Sequence, residues 1–502
     1  MKPILLPTLL VALLTLSSIR GADSQALPRS APETQGVSST RLLAFINALD
    51  AVDTLNSVMV VRHGRVIAEG WWAPYGPQVP HEMYSLSKSF TATAVGIAAA
   101  EGKLSVDDEV LRFFPDDAPE KPDNNLKAMR IRDLLCMSTG HQEEPPIQPN
   151  AISARSFLAH PVPHKPGTHF RYNTAATFMQ SAVVQKVTGE TVLEYLRPRL
   201  FEPLGIETPT WRTNFQGISL GGYGLNLRTE DIAKFGQLYL QKGLWNGRRV
   251  LAAEWVEAAT SKQTSNGSNP GSDWDQGYGF QFWRCRHGAY RGDGAFGQYC
   301  VVMPDQDAVV VITSGVKDMQ GVLNLVWDSL LPAFESAALP ENPAGVAQLR
   351  ERLSQLSVRL PTGADTSPMS ARVDGKTYSF PANDARLESL SIARLGPEGW
   401  VLTRTVSGVT DRLRCGYRRW MEGHGFLGVV PAVGLGSAAG DSLAATAAWT
   451  SDDTWTVRLC AYETPFYTTL RLRFEGDAVV LESQANVGFS GTPVQKLEGR
   501  AR

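Results

Sequence analysis

Two pairs of strand-like segments, far apart along the chain, constrain its fold more than any other feature. Residues 57–62 and 65–70 are separated by a His-Gly dipeptide, which is typical of a hairpin turn. Residues 297–303 and 308–313 form a second pair much later in the sequence. The sequence between the two pairs is mostly helical in its apolar periodicity. We therefore predict an α/β (α+β) domain in which strands from both chain ends form one antiparallel sheet around a helical insertion.

The C-terminal part of the chain has a different periodicity. Four runs beyond residue 371 alternate apolar and polar residues, as half-buried strands do. These runs are residues 400–404, 412–417, 454–460 and 468–474. They predict an all-β domain, either a barrel or a sandwich. A helical pattern at residues 347–358 and a proline-bounded linker precede this domain.

The length of 502 residues also exceeds what one hydrophobic core usually supports. The patterns divide the chain into a signal peptide at residues 1–26, an α/β domain at 27–340, a helix and linker at 341–370, and an all-β domain at 371–502. The formal net charge is -2, and no run of basic residues is present. A nucleic-acid partner is therefore not expected.

The N-terminus has the pattern of a secretory signal. Lys2 precedes an apolar run at residues 4–16, and Ser24-Gln25-Ala26 follows as a small-x-small cleavage pattern. No later apolar run reaches the roughly 18 residues that a membrane-spanning helix needs. We expect a secreted or periplasmic mature protein without a membrane span, and an uncleaved N-terminal anchor is the alternative.

The five cysteines are compatible with an oxidising compartment but too few for a disulfide scaffold. Cys285 and Cys300 flank a predicted hairpin region, and Cys415 and Cys460 lie in strand-like runs near the C-terminus. We predict these two disulfides. Cys136, in an apolar run, is then a buried free thiol.

Ser85 and Lys88 form an S-x-x-K pattern that offers a nucleophile and a base one helical turn apart. A serine hydroxyl needs a partner that takes its proton, and residues i and i+3 share one face of a helix. Residues 91–100 carry no charge, which favours a buried helix and a lysine whose pKa is lowered by desolvation. The pattern alone is short, and a serine at a helix start is most often an N-cap.

Other motifs have weaker structural support. Ser219 is the centre of G-x-S-x-G, but no helix follows it directly, so a glycine-rich loop is favoured over a nucleophile elbow. Residues 292–297 match G-x-G-x-x-G but lie between strands, which disfavours a dinucleotide site. Three histidines lie in a proline-rich loop without metal-ligand spacing: His160, His164 and His169. We predict neither a metal nor a cofactor.

Several segments, taken together, are more specific than S-x-x-K alone. They are residues 58–71, Ser85-Leu-Ser-Lys88, and residues 131–140, 166–174, 201–206, 221–236 and 297–336. In these segments the chain resembles the serine β-lactamase and penicillin-binding superfamily, in its esterase, amidase and 6-aminohexanoate-dimer-hydrolase-like branch. The resemblance implies a β-lactamase-like fold and a serine hydrolase.

The resemblance also implies the catalytic residues. Ser85 attacks a carbonyl, and Lys88 takes or relays its proton. Tyr172 takes part in the proton transfers and helps to protonate the leaving group. The backbone N–H groups of Ser85 and Ala295 form the oxyanion hole. A nearby lysine ammonium is expected to lower the phenol pKa of Tyr172.

The substrate-binding positions implied by the resemblance depart from the family pattern. They are Asn173, Gly292, Asp293 and Gly294. Asn173 directly follows the tyrosine, whereas relatives often carry Y-x-N. Gly292 stands where β-lactamases carry a lysine, so the cation that binds a substrate carboxylate is missing. Arg291 is expected to point to the other face of its strand.

These features predict a secreted serine hydrolase that cleaves an ester or amide bond of a small-molecule substrate through an acyl-Ser85 intermediate. The missing lysine disfavours efficient β-lactam hydrolysis. A β-lactamase or D-amino-acid peptidase proper is one alternative. A catalytically silent ligand-binding homologue is the other.

Overall fold

A computed structural model describes residues 26–427 and 441–502. Residues 1–25, which hold most of the predicted signal peptide, lie outside the described residues. The strands before the C-terminal domain are β1 (Leu55–Arg62), β2 (Arg65–Trp71), β3 (His81–Glu82), β4 (Thr210–Trp211), β5 (Leu225–Leu227), β6 (Leu244–Trp245), β7 (Arg248–Arg249), β8 (Trp283–Arg284), β9 (Tyr290–Gly294), β10 (Gln298–Met303) and β11 (Ala308–Ser314).

Six of these described strands form the main sheet in the order β2-β1-β11-β10-β9-β8, and each neighbouring pair is antiparallel. Val60 of β1 lies opposite Val310 of β11, so strands from the two ends of the domain meet inside the sheet. Met59 and Val61 face one apolar core, and Val58 and Val60 face the other. The predicted antiparallel sheet around a helical insertion is confirmed.

Helices cover both faces of the sheet. They are α1 (Ser39–Ala51), α2 (Ser87–Ala100), α3 (Asn124–Ala128), α4 (Ile131–Leu135), α5 (Ala154–Leu158), α6 (Thr174–Thr188), α7 (Val192–Leu196), α8 (Glu202–Leu204), α9 (Thr229–Leu240), α10 (Ala253–Thr260), α11 (Met319–Leu325), α12 (Pro343–Ser354) and α13 (Ser370–Val373). α1, α11 and α12 line the core that contains Val58, whereas α2, α6 and α9 line the core that contains Met59. Within the described residues, no helix combines the length and apolar character that a bilayer crossing requires.

The C-terminal domain is a barrel, which decides between the two architectures predicted for it. Its strands are β12 (Thr377–Ser379), β13 (Leu387–Arg394), β14 (Gly399–Val406), β15 (Val409–Gly416), β16 (Met421–Gly425), β17 (Asp441–Trp449), β18 (Thr454–Cys460), β19 (Tyr467–Glu475), β20 (Ala478–Ala485) and β21 (Gln495–Ala501). Among the described strands, nine close into the barrel, because Gly416 of β15 pairs with Thr446 of β17. Alternate side chains, including Trp400 and Trp455, fill its interior.

The barrel packs against the α/β domain beside the start of α2. The backbone N–H of Glu82 donates to the carbonyl of Glu463 at 2.9 Å, and the Tyr75 hydroxyl donates to the carbonyl of Thr464 at 2.8 Å. A β-carbon on Gly315 would lie 2.1 Å from a carbonyl oxygen of the barrel, so this close approach requires glycine. The two domains therefore meet next to the S-x-x-K segment.

The two predicted disulfides are wrong, because all five cysteines are free and buried. Cys285 and Cys300 belong to the apolar cores on opposite faces of the main sheet. Cys415 lies inside the barrel, whereas Cys460 faces the core shared with the α/β domain. A sheet thus separates the members of each predicted pair. The prediction of a buried free thiol at Cys136 is confirmed.

Candidate active site

Ser85 lies in a short 3-10 turn, Tyr84–Leu86, and α2 begins directly after it at Ser87. In such a turn residues i and i+3 lie one above the other, which holds Lys88 beside Ser85. Tyr84 has a φ of 46°, in the left-handed region that bulky residues rarely adopt. Backbone strain of this kind is concentrated at functional sites.

Lys88 has three polar neighbours. Its Nζ lies 2.9 Å from Ser85 Oγ, 2.8 Å from the carbonyl oxygen of Gly222 and 3.4 Å from Thr174 Oγ1. A neutral amine has two N–H groups and one lone pair. The N–H groups can bond the Gly222 carbonyl and the Thr174 hydroxyl, which leaves the lone pair for the proton of Ser85. The contacts therefore fit a neutral lysine base.

Burial favours the same protonation state. Lys88 is 1% exposed, and desolvation lowers its pKa from 10.5 to about 7. The carboxylates of Glu144 and Asp293 act in the opposite direction, since each favours the ammonium form. A large fraction of Lys88 is thus unprotonated near neutral pH, as a general base requires.

The kcat/KM for ester cleavage should rise with pH through about 7. Below this value Lys88 is an ammonium without a lone pair, so the rate should fall about tenfold per pH unit. Glu144→Gln removes a charge that favours the ammonium form but keeps an acceptor for the N–H of Thr174. This variant should shift the midpoint to lower pH. A profile that is flat from about pH 5 to 9 would contradict the assignment.

Tyr172 is the second side chain, after Lys88, that contacts the Ser85 hydroxyl. Its side chain hydrogen-bonds Ser85, and its ring stacks on Trp283 with the centroids 5.5 Å apart. The expected lowering of the phenol pKa by Lys88 is wrong. Burial and the carboxylate of Asp293 raise the pKa of Tyr172 well above its usual value. Tyr172 therefore stays a phenol and can donate a proton.

Strand β9 approaches the Ser85 turn through its glycines. A β-carbon on Gly294 would lie 2.2 Å from the carbonyl oxygen of Met83 and 3.1 Å from the backbone nitrogen of Ser85. A β-carbon on Gly292 would lie 2.5 Å from a methyl carbon of Leu86. Because Ala295 directly follows Gly294, the structure brings together the two backbone segments predicted to form the oxyanion hole.

Gly294→Ala should lower kcat for ester cleavage about 100-fold, because the added methyl group would force the strand away from the Ser85 amide. Gly271→Ala is a suitable control, since its β-carbon would meet only Asn269 Oδ1 at 3.4 Å. Steady-state kinetics and thermal melts of both variants separate a catalytic loss from unfolding. A folded Gly294→Ala variant with normal kcat would argue against this oxyanion hole.

Arg291 and Asp293 occupy the opposite face of β9 from the two glycines, as predicted for Arg291. The buried guanidinium of Arg291 donates to Asp293 Oδ2 at 2.9 Å and lies 4.4 Å from the ring centroid of Trp274. The Trp283 side chain also hydrogen-bonds Asp293. Arg291 is thus neutralised inside the protein. Asp293, predicted to bind substrate, instead uses its carboxylate on these two side chains.

Asn173, predicted to bind substrate, uses its side chain on groups inside the protein. Its Oδ1 accepts from the N–H of Ala176 at 3.1 Å, so the side chain caps α6. Its amide nitrogen lies 3.4 Å from Thr139 Oγ1, and the residue is fully buried. The adjacency of Tyr172 and Asn173 in sequence explains this, because the tyrosine precedes the helix and the asparagine begins it.

Besides Thr174, two residues of the site were not predicted from the sequence. Gly222 supplies the carbonyl that bonds Lys88, and a β-carbon there would lie 2.6 Å from Thr174 Cγ2. The Gly221-Gly222 pair was an available signal for such a close approach. Glu144 accepts from the N–H of Thr174 and lies close enough to Lys88 to affect its pKa. No motif marks it, because it comes from a loop distant in sequence.

The competing motifs do not form a second site. Ser219 is buried in a glycine-rich loop, and its carbonyl accepts from Ser181 Oγ at 2.7 Å. Residues 292–297 span the connection from β9 to β10. In the part of the chain that the structure describes, no group of three or more His, Cys, Asp and Glu side chains is arranged to hold a metal.

Comparison with known proteins agrees with this geometry. Residues 52–320, more than half of the chain, match the family model described as Beta-lactamase. The chain belongs to the beta-lactamase family. This beta-lactamase-family protein is 25% identical over 305 residues to the 6-aminohexanoate-dimer hydrolase of Paenarthrobacter ureafaciens, and the match covers 56% of the chain and 77% of the relative.

Two further matches extend the comparison. The protein is 24% identical over 264 residues to the "Putative D-alanyl-D-alanine carboxypeptidase" of Escherichia coli K12, which covers 44% of the chain and 60% of the relative. It shares its fold with the "Putative 6-aminohexanoate-dimer hydrolase from Bacillus anthracis" at a TM-score of 0.51 and 21% identity, over 62% of this chain and 89% of the other. Membership of the beta-lactamase family and similarity to these hydrolases identify this protein as a serine hydrolase.

Proposed function

We propose that the protein cleaves an ester or amide bond of a small-molecule substrate through an acyl-Ser85 intermediate. The observation that carries this proposal is the buried amine of Lys88, 2.9 Å from the Ser85 hydroxyl. Its other hydrogen bonds go to acceptors, and its pKa is lowered to about 7. These are the properties that activate a serine nucleophile.

The residues support a two-step reaction. Ser85 Oγ attacks the substrate carbonyl carbon while Lys88 takes its proton, and the developing oxyanion faces the N–H groups of Ser85 and Ala295. The bond to the leaving group breaks as Tyr172 protonates that group, and the Lys88 ammonium reprotonates Tyr172. Water then attacks the acyl-Ser85 ester by the reverse proton path, which releases the acid and restores the serine.

A neutral acyl substrate fits the walls of the site. Gly292 replaces the lysine of β-lactamases, and a side chain there would meet Leu86 and Ser89. Arg291 is buried and paired with Asp293, so it is not available to a substrate carboxylate. Similarity to a 6-aminohexanoate-dimer hydrolase supports a small amide among the substrates.

A substrate panel tests the proposal. We expect kcat/KM for p-nitrophenyl butyrate or the linear 6-aminohexanoate dimer to exceed that for nitrocefin by about 100-fold or more, since Gly292 removes the cation expected to bind the carboxylate of a β-lactam. Nitrocefin turnover at the rate of ester cleavage would favour a β-lactamase proper. No turnover of any panel member would favour a silent binding protein.

Export from the cytoplasm is part of the proposal. Lys2, the apolar residues 4–16 and the pattern at residues 24–26 support a cleaved signal, and hence a secreted or periplasmic enzyme. Expression of the full chain followed by fractionation and N-terminal sequencing tests it. A mature N-terminus near residue 27 in the exported fraction is expected, and a cytoplasmic protein that retains Met1 would contradict export.

A further inference from the structure

Two separate groups of aromatic rings flank Ser85. The first, called the leaving-group cluster, consists of Phe170, Tyr172, Trp274, Tyr278 and Trp283. The second, called the barrel-side cluster, consists of Tyr84, Phe296, Phe466 and Phe489. Within the described residues, no ring contact joins the two clusters. Ser85 is thus next to two aromatic clusters that are separate from each other.

The barrel-side cluster adjoins the reacting atoms through the chain itself. Tyr84 directly precedes Ser85, and Phe296 directly follows Ala295, so the two predicted oxyanion donors each carry a neighbouring ring of this cluster. The centroids of these two rings are 5.6 Å apart, in an edge-to-face arrangement. The cluster therefore adjoins, along the chain, both backbone donors predicted for the oxyanion hole.

The C-terminal barrel supplies the exposed ring of the barrel-side cluster. Phe489 lies in the loop between β20 and β21, 4.8 Å from the ring of Phe296 and 6.0 Å from that of Tyr84. Tyr84 and Phe296 are buried, whereas Phe489 is 65% exposed. A large aromatic ring that stays exposed while it contacts the residues next to the two predicted donors is available to bury against a ligand.

The loop that carries Phe489 is held in place on both sides. Asn486 Nδ2 donates to the carbonyl oxygens of Gly315 and Pro465 at 3.2 and 2.9 Å. Lys317 Nζ donates to Thr492 Oγ1 at 2.9 Å. Because these bonds lie on either side of Phe489 in sequence, the ring is presented to the α/β domain from a fixed base.

We infer that Phe489, together with Phe296 and Tyr84, forms a subsite for an apolar acyl group. The inference rests on the proposed acyl-Ser85 function. Tyr172 protonates the leaving group, so the leaving group lies toward the leaving-group cluster. The acyl group extends from the same carbonyl carbon in the other direction, toward the barrel-side cluster. The barrel thereby contributes to the choice of substrate.

Esters of different acyl length test the subsite. Phe489→Ala should lower the ratio of kcat/KM for p-nitrophenyl hexanoate to that for p-nitrophenyl acetate about tenfold, because the longer chain loses its aromatic contact. Phe489→Leu should retain most of this ratio. Phe215→Ala is the matched control: Phe215 is 64% exposed and belongs to neither cluster, so the ratio should not change. An unchanged ratio in Phe489→Ala would overturn the inference.

A binding measurement keeps the subsite and the covalent mechanism distinguishable. In the Ser85→Ala background, calorimetry should show that hexanamide binds more tightly than acetamide and that adding Phe489→Ala removes about tenfold of this preference. This result does not depend on turnover. A preference for hexanamide without Ser85-dependent hydrolysis would reject only the acyl-Ser85 mechanism, whereas equal binding of both amides would reject the subsite.

Discussion

Ser85→Ala should lower kcat for ester cleavage by about 10⁴-fold or more, because the substitution removes the hydroxyl that hydrogen-bonds both Lys88 and Tyr172 and forms the acyl intermediate. The substitution removes only the Oγ atom of a partly buried residue and should leave the fold intact. Steady-state kinetics with a chromogenic ester, together with a thermal melt, measure both effects.

Ser219→Ala is the matched control for this experiment, since Ser219 is the centre of the rival G-x-S-x-G motif. Its activity should stay within about threefold of wild type, because Ser219 is buried in a loop that contacts the back of α2. The opposite pattern, an active Ser85→Ala variant and an inactive Ser219→Ala variant, would move the nucleophile to the elbow motif.

Lys88→Met should lower kcat/KM by about 10³-fold at pH 8, since general-base catalysis typically contributes 10²-fold to 10⁴-fold. The variant should also lose the rise in rate through about pH 7. Lys234→Met is the control, because Lys234 is a second buried lysine whose ammonium donates to the carbonyl of Gly205 at 3.0 Å. Comparable losses in both variants would indicate a structural effect of buried lysines instead of a base at Lys88.

Lys88→Met, which should lower activity, should increase the stability of the fold. Burial lowers the pKa of Lys88 to about 7, whereas an unfolded lysine has a pKa of about 10.4, so unfolding takes up a proton between these values. The cost of the buried ammonium is fully present below pH 7 and fades as pH rises to about 10.4. Lys88→Met should therefore raise the free energy of unfolding by about 3 kcal/mol at pH 6, with a smaller gain at pH 9. Urea denaturation at the two pH values measures this difference.

Features that depend on residues close together in sequence could be predicted, namely the strands and the Ser85–Lys88 pair. The valine-rich β1 and β11 are buried on both faces, so they stand out as continuous apolar runs. Alternating polarity marked the barrel strands because each has one face inside the barrel. Ser85 and Lys88 were found together because a single turn places residues i and i+3 side by side.

Features that depend on contacts distant in sequence could not be predicted. Whether Cys285 and Cys300 lie on the same face of a sheet depends on the register of β8 to β10, which spacing does not reveal. The direction of the Tyr172 pKa shift depends on burial and on Asp293, which is remote in sequence. Glu144 reaches the site only because its loop packs against the start of α6.

The covalent step itself can be observed by intact-protein mass spectrometry after brief incubation with a fluorophosphonate. We expect one phosphonyl adduct on the wild-type protein, located to Ser85 by peptide mapping, slower labelling of Lys88→Met, and no adduct on Ser85→Ala. An unlabelled wild-type protein, or an equally labelled Ser85→Ala variant, would contradict Ser85 as the nucleophile of this hydrolase.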